Sequence, residues 1–154
     1  MELKILILFN LLIYSVIVSQ SFMYMIALRN VQESMGAVSY IELRKLLDRN
    51  FLKKFKPVVY TALLLGLALV ATTFFQSSGL LIAGSIIAFV GLLIDVALIV
   101  KGDMPINRII NSWTAETFPA NWFDYRSKWL YFFSLRQVAN VSGFVALLIA
   151  AVFG

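Results

Sequence analysis

Four long apolar runs dominate this chain of 154 residues. A helix needs about 20 consecutive apolar residues to cross a hydrocarbon core of about 30 Å, whereas the surface helices of a soluble domain are amphipathic. The runs lie at residues 5–28, 58–75, 80–100 and 126–153 and make up more than half of the chain. We therefore predict an all-α fold, a four-transmembrane-helix bundle that forms a single integral membrane domain over residues 1–154.

The residue composition supports a membrane location and removes several kinds of chemistry. Hydrophobic residues make up 61% of the chain and charged residues only 14%, whereas a soluble domain is usually about half apolar and about a quarter charged. The sequence contains no cysteine and no histidine. Disulfides, thiolate nucleophiles, zinc sites with nitrogen or sulfur ligands and histidine-based proton transfer are therefore excluded. We predict a protein with no metal and no cofactor.

The basic residues are distributed unevenly between the two ends of the predicted bundle. The segments that follow the first and third runs carry eleven Lys and Arg residues, while the opposite end carries only Lys4. Lysine and arginine in short loops are retained on the cytoplasmic side of a membrane. We therefore predict a multi-pass protein of a bacterial inner membrane, with both long loops in the cytoplasm and both termini outside it.

The first long loop has the pattern of an amphipathic helix. Within residues 40–56, basic residues fill several faces while apolar residues recur every four positions, at Leu43, Leu47, Phe51 and Phe55. This pattern predicts an interfacial helix that lies on anionic lipid head groups, with Pro57 opening the second span. Nucleic-acid binding is the other interpretation of a basic stretch. We predict no nucleic-acid partner, because the stretch lacks the clustered aromatic residues of a base-stacking platform.

The second long loop, residues 103–128, is the least generic part of the sequence. Asp103 is predicted to cap a second amphipathic helix that has Pro105 in its first turn. The polar face of this helix carries Asn107 and Asn111, and the apolar face consists of Ile106, Ile109, Ile110 and Trp113. A helix with these two faces is expected to lie at the cytoplasmic interface.

All three tryptophans of the chain, Trp113, Trp122 and Trp129, fall within 17 positions of this loop and the start of the fourth span. One interpretation is an aromatic belt at the membrane interface, where an indole ring is half wet and half dry. The other interpretation is the lining of a ligand cavity. The sequence alone leaves both open.

Two charged residues lie inside predicted spans. Asp95 precedes Lys101 by six residues and Arg136 follows Lys128 by eight, so they lie about 9 Å and about 12 Å into the membrane at 1.5 Å per residue. A charge at that depth needs a partner. Their helix faces also carry small or polar residues, namely Gly84, Ala88 and Gly91 with the acid, and Asn140 and Gly143 with the base. We predict a direct contact between Asp95 and Arg136 on neighbouring antiparallel helices.

This ion pair has two interpretations. It can be structural and fix the register of the two helices. It can also be the polar centre of a cavity that opens toward the cytoplasmic interface. Asn107, Asn111 and the tryptophans would then contribute side chains to that cavity.

Several residues around the third and fourth spans carry a resemblance to a known family. They are Met104-Pro105-Ile106-Asn107 after the third span, followed by Trp113, Trp122, Arg126, Trp129 and Arg136. With these residues and its span layout, the chain resembles the anthrone-oxygenase-like family of small four-helix membrane proteins, most of which are of unknown function. Members with an assigned activity oxidise polycyclic anthrones to anthraquinones with O₂, and the family implies no metal or flavin.

The resemblance implies a dry pocket for a hydrophobic polycyclic or quinone-like molecule and, for oxidation, a base and an oxyanion partner. On this hypothesis Asp95 is the base and Arg136 and Asn107 donate to the developing oxyanion. The tryptophans form flat walls, and the other ligand-binding residues are Asn111, Arg126 and Asn140. Two alternatives remain: an accessory or structural subunit of a larger membrane complex or homo-oligomer, and a lipid- or quinone-binding module without turnover.

Overall fold

The computed structural model describes residues 2–76 and 79–154, except for the side chains of Leu52 and Gln76. All of the regular secondary structure in these residues is helical. In chain order the helices are α1 (Glu2–Met23), α2 (Arg29–Ser34), α3 (Ala37–Gln76), α4 (Gly79–Leu98), α5 (Met104–Asn111) and α6 (Trp122–Phe153). Two π-helical turns, Tyr24–Leu28 and Ile99–Asp103, join α1 to α2 and α4 to α5 without a break.

Four helical stretches are long and apolar enough to cross a membrane. They are Glu2–Ser34, Lys53–Phe75, Gly79–Asn111 and Trp122–Phe153. Each contains one of the four predicted runs, so the prediction of an all-α chain with four apolar helices of membrane-spanning length is confirmed.

The second span does not begin a new helix at Pro57. Helix α3 is continuous from Ala37 to Gln76 and contains Pro57 within it, so the prediction that Pro57 lies in the first turn of the second span's helix is wrong. A proline inside a helix removes one backbone hydrogen bond and crowds the carbonyl four residues earlier, here that of Lys53. The N-terminal half of α3 is bonded to α5 through the side chains of Arg44 and Asp48.

The four long helices close into a ring in which each packs on two neighbours: α1 on α3, α3 on α4, α4 on α6 and α6 on α1. The most extensive contact is the antiparallel one between α4 and α6. A Cβ atom on Gly91 would lie 2.8 Å from the carbonyl oxygen of Ala139, and one on Gly84 would lie 2.9 Å from that of Ala146. The predicted stripe of small residues is therefore confirmed as the surface on which α4 and α6 approach closely.

Replacing Gly84 with alanine is expected to destabilise the bundle, whereas the same change at Gly79 is not. The added Cβ at Gly84 would overlap the Cβ of Ala150, while a Cβ at Gly79 meets nothing within 4 Å. Overpacking of this kind typically costs about 1–3 kcal/mol. Thermal unfolding in detergent, followed by circular dichroism, measures the difference. Equal midpoints for Gly84→Ala and Gly79→Ala would contradict the close approach of the two helices.

Candidate ligand cavity

A buried cluster of charged side chains joins α4, the second π-helical turn and α6. Arg136 donates from Nε to Oδ1 of Asp95 at 2.7 Å and from Nη1 to Oδ2 of Asp103 at 2.5 Å. Asn140 donates to the same oxygen of Asp95 at 2.9 Å. All four side chains are buried. The predicted contact between Asp95 and Arg136 is confirmed, and a second carboxylate, which we did not predict, shares the cation.

Asp103 does not cap a helix, and that prediction is wrong. Its backbone is helical and its side chain makes no capping hydrogen bond. Residues eight apart in an ideal α-helix, such as Asp95 and Asp103, point about 80° apart around the axis. The π-helical turn at Ile99–Asp103 inserts one residue and removes most of this offset, so both carboxylates face Arg136. Sequence spacing gives no sign of such a turn.

A second polar network connects α3 to α5. Arg44 donates from Nη2 to Oδ1 of Asn107 at 2.8 Å. Asn107 and Asn111 in turn donate to the two carboxylate oxygens of Asp48, at 2.9 Å and 2.8 Å. The guanidinium carbon of Arg44 also lies 3.8 Å from the ring centroid of Trp129. Arg44 is therefore held from two sides, by an amide oxygen and by an indole face.

The first part of the basic stretch at residues 40–56 faces protein, which corrects the prediction that this stretch lies on lipid head groups along its whole length. Arg44 is only 6% exposed. Lys45 also contacts protein, because its Nζ donates to the backbone carbonyl of Trp113. The exposed basic residues of the stretch are Arg49, Lys53, Lys54 and Lys56.

Burial governs the ionisation of the groups around Arg44. It lowers the pKa of the Arg44 guanidinium, and the neighbouring Tyr40, Asp103 and Asp48 oppose that shift. It also raises the pKa of Tyr40 to about 12, although the charges of Arg44 and Arg126 pull the other way. The Tyr40 hydroxyl is therefore neutral at physiological pH.

A cavity of about 490 Å³ lies between the two polar networks. Side chains from all four long helices line it, and the lining is mostly apolar. Its aromatic walls are Tyr24, Phe51, Phe55, Tyr60, Trp129 and Phe133, and its polar and charged lining residues are Gln20, Gln32, Arg44, Asp48, Lys56, Asp103, Asn107 and Arg136. This combination of flat apolar walls with a few convergent polar groups is typical of a site for a small organic molecule.

Five of the lining residues have a buried polar atom with no hydrogen-bond partner among the described residues. The atoms are Tyr24 Oη, Gln32 Oε1, Arg44 Nε, Asp103 Oδ1 and Trp129 Nε1. Each of these side chains is more than nine-tenths buried. Buried polar atoms without partners are rare in folded proteins, because leaving one unsatisfied costs about 1–3 kcal/mol. All five atoms are enclosed by protein, so they lie behind the surface of the cavity although their residues line it.

The structure brings some of the predicted site residues to this cavity and leaves others away from it. Arg136, Asn107 and Trp129 line it. Asp95 is not among its lining residues, because its carboxylate lies behind Arg136, bonded to Arg136 and Asn140. The predicted ligand-binding residues that do not line it are Asn111, Trp113, Trp122, Arg126 and Asn140. We did not predict Tyr24, Gln32 or Arg44 as site residues.

Trp122 and Arg126 belong to a separate cluster that fastens the loop between α5 and α6. The guanidinium carbon of Arg126 lies 4.6 Å from the ring centroid of Trp122, and its Nη1 donates to the backbone carbonyls of Gln32 and Met35. Trp113 packs edge-on against Tyr125, with ring centroids 5.2 Å apart. Arg126 is thus bound to backbone carbonyls, and the cluster ties the start of α6 to the turn between α2 and α3.

The tryptophans do not form an exposed aromatic belt. Trp113 and Trp129 are buried, and Trp122 is half-buried. Of the two interpretations left open by the sequence, cavity lining fits Trp129, which faces the cavity with Arg44 stacked on it. The other two pack among protein side chains.

A second, much smaller cavity lies on the other side of Arg136. It has a volume of about 10 Å³, and its lining includes Gln137 and Asn140. The side-chain oxygens of both residues are buried without a partner within the described part of the chain. The volume is about that of one water position, too small for an organic ligand.

No protein-family model, curated protein or solved structure matches the chain. The candidate site is therefore defined by the geometry of its own residues. The main features of that geometry are a mostly apolar, aromatic lining and the two arginine side chains, Arg44 and Arg136, that border it.

Proposed function

We propose that the protein binds a hydrophobic aromatic molecule with oxygen substituents, of the quinone or polycyclic phenol type, in the cavity between α1, α3, α4 and α6. The observation that carries this proposal is a mostly aromatic and apolar lining that also contains the side chains of Arg44, Asn107 and Arg136. A purely aliphatic ligand would make no hydrogen bond with these polar groups, and a strongly polar ligand would make poor contacts with the aromatic walls.

The dimensions of the cavity support a ligand of one to three fused rings. Sites for small organic molecules usually have volumes of about 300–1,000 Å³, and this cavity measures about 490 Å³. Phe51 and Phe55 stack with their ring centroids 4.4 Å apart, and Trp129 and Phe133 stack at 4.7 Å. Two stacked aromatic pairs from α3 and α6 thus border the same space, where a flat ring system can pack.

The ligand is proposed to enter from the bilayer. Several apolar lining residues are exposed, and we assign them to an apolar rim of the cavity; these residues are Met23, Leu28, Leu47, Phe51 and Tyr60. Lys56 lies over the ring of Tyr60 at 5.6 Å. Its charge at this rim suits the boundary between acyl chains and head groups.

The proposed orientation in the membrane follows from the charge distribution. Both long loops are proposed to be cytoplasmic, both termini to lie outside, and the N-terminal half of α3 and helix α5 to lie at the cytoplasmic interface. Anionic lipids are the proposed partners of the exposed basic residues, which are Arg49, Lys53, Lys54 and Lys56. Each basic side chain near an anionic surface adds about 1 kcal/mol of attraction.

Single cysteines test this orientation cleanly, because the sequence contains none. A cysteine replacing Gly154 is expected to react with an impermeant maleimide in intact cells. A cysteine replacing Ala115, which is exposed in the loop between α5 and α6, is expected to react only after the cells are lysed. The opposite pattern would reverse the proposed topology.

Ligand binding is tested by the fluorescence of Trp129. In a Trp113→Phe/Trp122→Phe protein, only Trp129 remains, and 1,4-naphthoquinone is expected to quench it saturably at micromolar concentrations, because the quinone would lie against the indole. The matched control keeps only Trp113, and its quenching is expected to rise linearly with the quinone in the detergent phase. Identical curves for the two proteins would remove the proposal and favour an accessory subunit without a ligand site.

The oxidation of anthrones, which the resemblance implies, is a second candidate. Asp103 supports it, because this residue lines the cavity and its carboxylate is bonded to Arg136. A carboxylate at this position can serve as the base that the reaction needs. We propose Asp103 for this role in place of Asp95, and Arg136 as the neighbouring positive charge. Anthrone-dependent consumption of O₂ by the purified protein, and its loss in Asp103→Asn, test the candidate.

A further inference from the structure

We infer that the ligand carries a hydrocarbon chain on its ring system, so that the cavity takes quinones or phenols with a prenyl or alkyl chain. The ring lies at the end of the cavity that Arg44 borders, and the chain runs along α3 to Tyr60 and leaves between α1 and α3. This inference rests on the proposed function and specifies the chemical class of its ligand. It follows from the length of the cavity and from the side on which its lining is exposed.

The cavity is longer than a ring system. Its lining residues on α3 begin at Arg44 and end at Tyr60, sixteen residues later, a distance of about 24 Å along a helix. The facing wall begins at Asn107 and ends at Val96, eleven residues away or about 16 Å by the same rise. A quinone of two fused rings is shorter than two helical turns, about 11 Å. Such a ring system therefore covers only one part of the cavity.

The chemistry of the lining changes along this length. At one end Arg44 donates to Asn107, whereas at the other end α3 contributes Val59 and α4 contributes Val96, both aliphatic. Arg44 precedes the apolar stretch Lys53–Phe75, which is long enough to cross a membrane, and Val59 lies within that stretch. In the proposed orientation the cavity thus extends from the interface into the hydrocarbon. An oxygen-bearing ring suits the first end and an apolar chain suits the second.

The cavity opens on the side formed by α1 and α3. Every exposed residue in the described lining lies on one of these helices or on the π-helical turn after α1; these residues are Met23, Leu28, Leu47, Phe51, Lys56 and Tyr60. The lining residues that come from α4, α5 and α6 are buried or half-buried. All but one of the exposed residues are apolar, so a chain that leaves here passes from apolar side chains to the acyl chains of the bilayer.

The polar residues along the path of the chain do not oppose it. Arg136 lines the cavity, but its guanidinium is bonded to Asp95 and Asp103. Lys56 is exposed, so its ammonium group can stay hydrated while its stem borders the cavity. The third such residue, Gln20, is uncharged. A hydrocarbon chain therefore leaves no cation buried without a partner.

Two compounds with the same ring test the inference: 2-methyl-1,4-naphthoquinone and its 3-geranyl derivative. Their binding to the full-length Trp113→Phe/Trp122→Phe protein in lipid nanodiscs is measured by the quenching of Trp129. Each affinity is compared between variants for one compound at one lipid content, so that partition of the chain into the bilayer cancels.

Val59→Phe narrows the aliphatic end of the cavity, fifteen residues or about 22 Å along α3 from Arg44. It is expected to weaken the binding of the geranyl compound at least about tenfold, the effect of an overpacked site, and that of the compound without a chain by less than about twofold. Val96→Phe makes the same test from the facing wall, and the same result is expected.

Leu64→Phe is the matched control for both variants. Leu64 lies on the outer surface of α3, 70% exposed, and it is not a lining residue of the cavity. Its replacement is expected to leave both affinities unchanged. Circular dichroism of each variant verifies that its helices are intact.

Photolabelling locates the chain in a protein whose cavity is unaltered. A 1,4-naphthoquinone with a decyl chain that ends in a diazirine is expected to label peptides that contain Val59 or Val96. Excess geranyl compound is expected to suppress this labelling. A phospholipid with a diazirine on its acyl chain is the control, and its labelling of lipid-facing residues such as Leu64 is expected to persist in excess geranyl compound.

A geranyl compound that binds Val59→Phe and Val96→Phe as tightly as the protein without these changes would overturn the inference and leave the proposed function intact. Equal losses of affinity for the two compounds would do the same, as would diazirine labelling that excess geranyl compound does not reduce. Absence of saturable quenching by both compounds would instead remove the proposed function together with the inference.

Discussion

Replacing Arg136 with methionine is expected to lower the free energy of unfolding by about 3–5 kcal/mol, the range measured when one partner of a buried ion pair is removed. The change would leave Asp95 and Asp103, both buried, without the cation that they share through bonds of 2.7 Å and 2.5 Å. Two adjacent carboxylates without a counter-charge repel each other strongly in a low-dielectric bundle. Chemical unfolding in mixed micelles measures the loss.

Two further variants show that the effect comes from unpaired charge. Arg108→Met removes an exposed arginine and is expected to change stability by less than about 0.5 kcal/mol. The triple variant Asp95→Asn/Asp103→Asn/Arg136→Gln removes all three charges and is expected to recover at least about half of the lost stability, because no buried charge is left without a partner. A stability of Arg136→Met equal to that of Arg108→Met would contradict the buried cluster.

Replacing Arg44 with methionine is expected to weaken the binding of 1,4-naphthoquinone by about 10- to 100-fold, the worth of a charged hydrogen bond in a buried site. Arg44 lines the cavity, stacks on Trp129 and fixes Asn107. Calorimetric titration of the purified protein, after its fold has been checked by circular dichroism, gives the dissociation constant.

Arg49→Met is the matched control on the same helix. Arg49 is exposed, whereas Arg44 is 6% exposed, and the basic pattern at residues 40–56 assigns both to the same lipid surface. Arg49→Met is therefore expected to leave the dissociation constant unchanged and to weaken only the association with anionic lipids. Equal losses of quinone affinity in both variants would contradict the separate role given to Arg44.

The parts of the structure that could be predicted from the sequence are those set by length, hydropathy and depth. Four apolar runs of about 20 residues allow few folds in a membrane. The matching depths of Asp95 and Arg136 in neighbouring spans also sufficed to predict their contact, because a charged side chain inside a membrane is stable only when it faces a partner or water.

The parts that could not be predicted depend on tertiary contacts. The inserted residue of a π-helical turn brings Asp103 to Arg136. The residue pattern of the sequence does not predict such a turn. Arg44 is buried between Asn107, which accepts its hydrogen bond, and the ring of Trp129, on which it stacks. The local periodicity of the sequence assigned it to the surface. The continuity of α3 through Pro57 also goes against the local tendency of proline to end a helix.

The central claim is that the cavity lined by Arg44, Asp103 and Trp129 holds an aromatic, oxygen-bearing ligand. Photolabelling of the protein in lipid nanodiscs with 2-azido-1,4-naphthoquinone, followed by peptide mass spectrometry, tests it most directly. The expected result is labelling of peptides that contain Trp129 or Phe133, and its suppression by excess 1,4-naphthoquinone. Labelling that is confined to exposed apolar residues such as Phe75, or that excess quinone does not reduce, would contradict the claim.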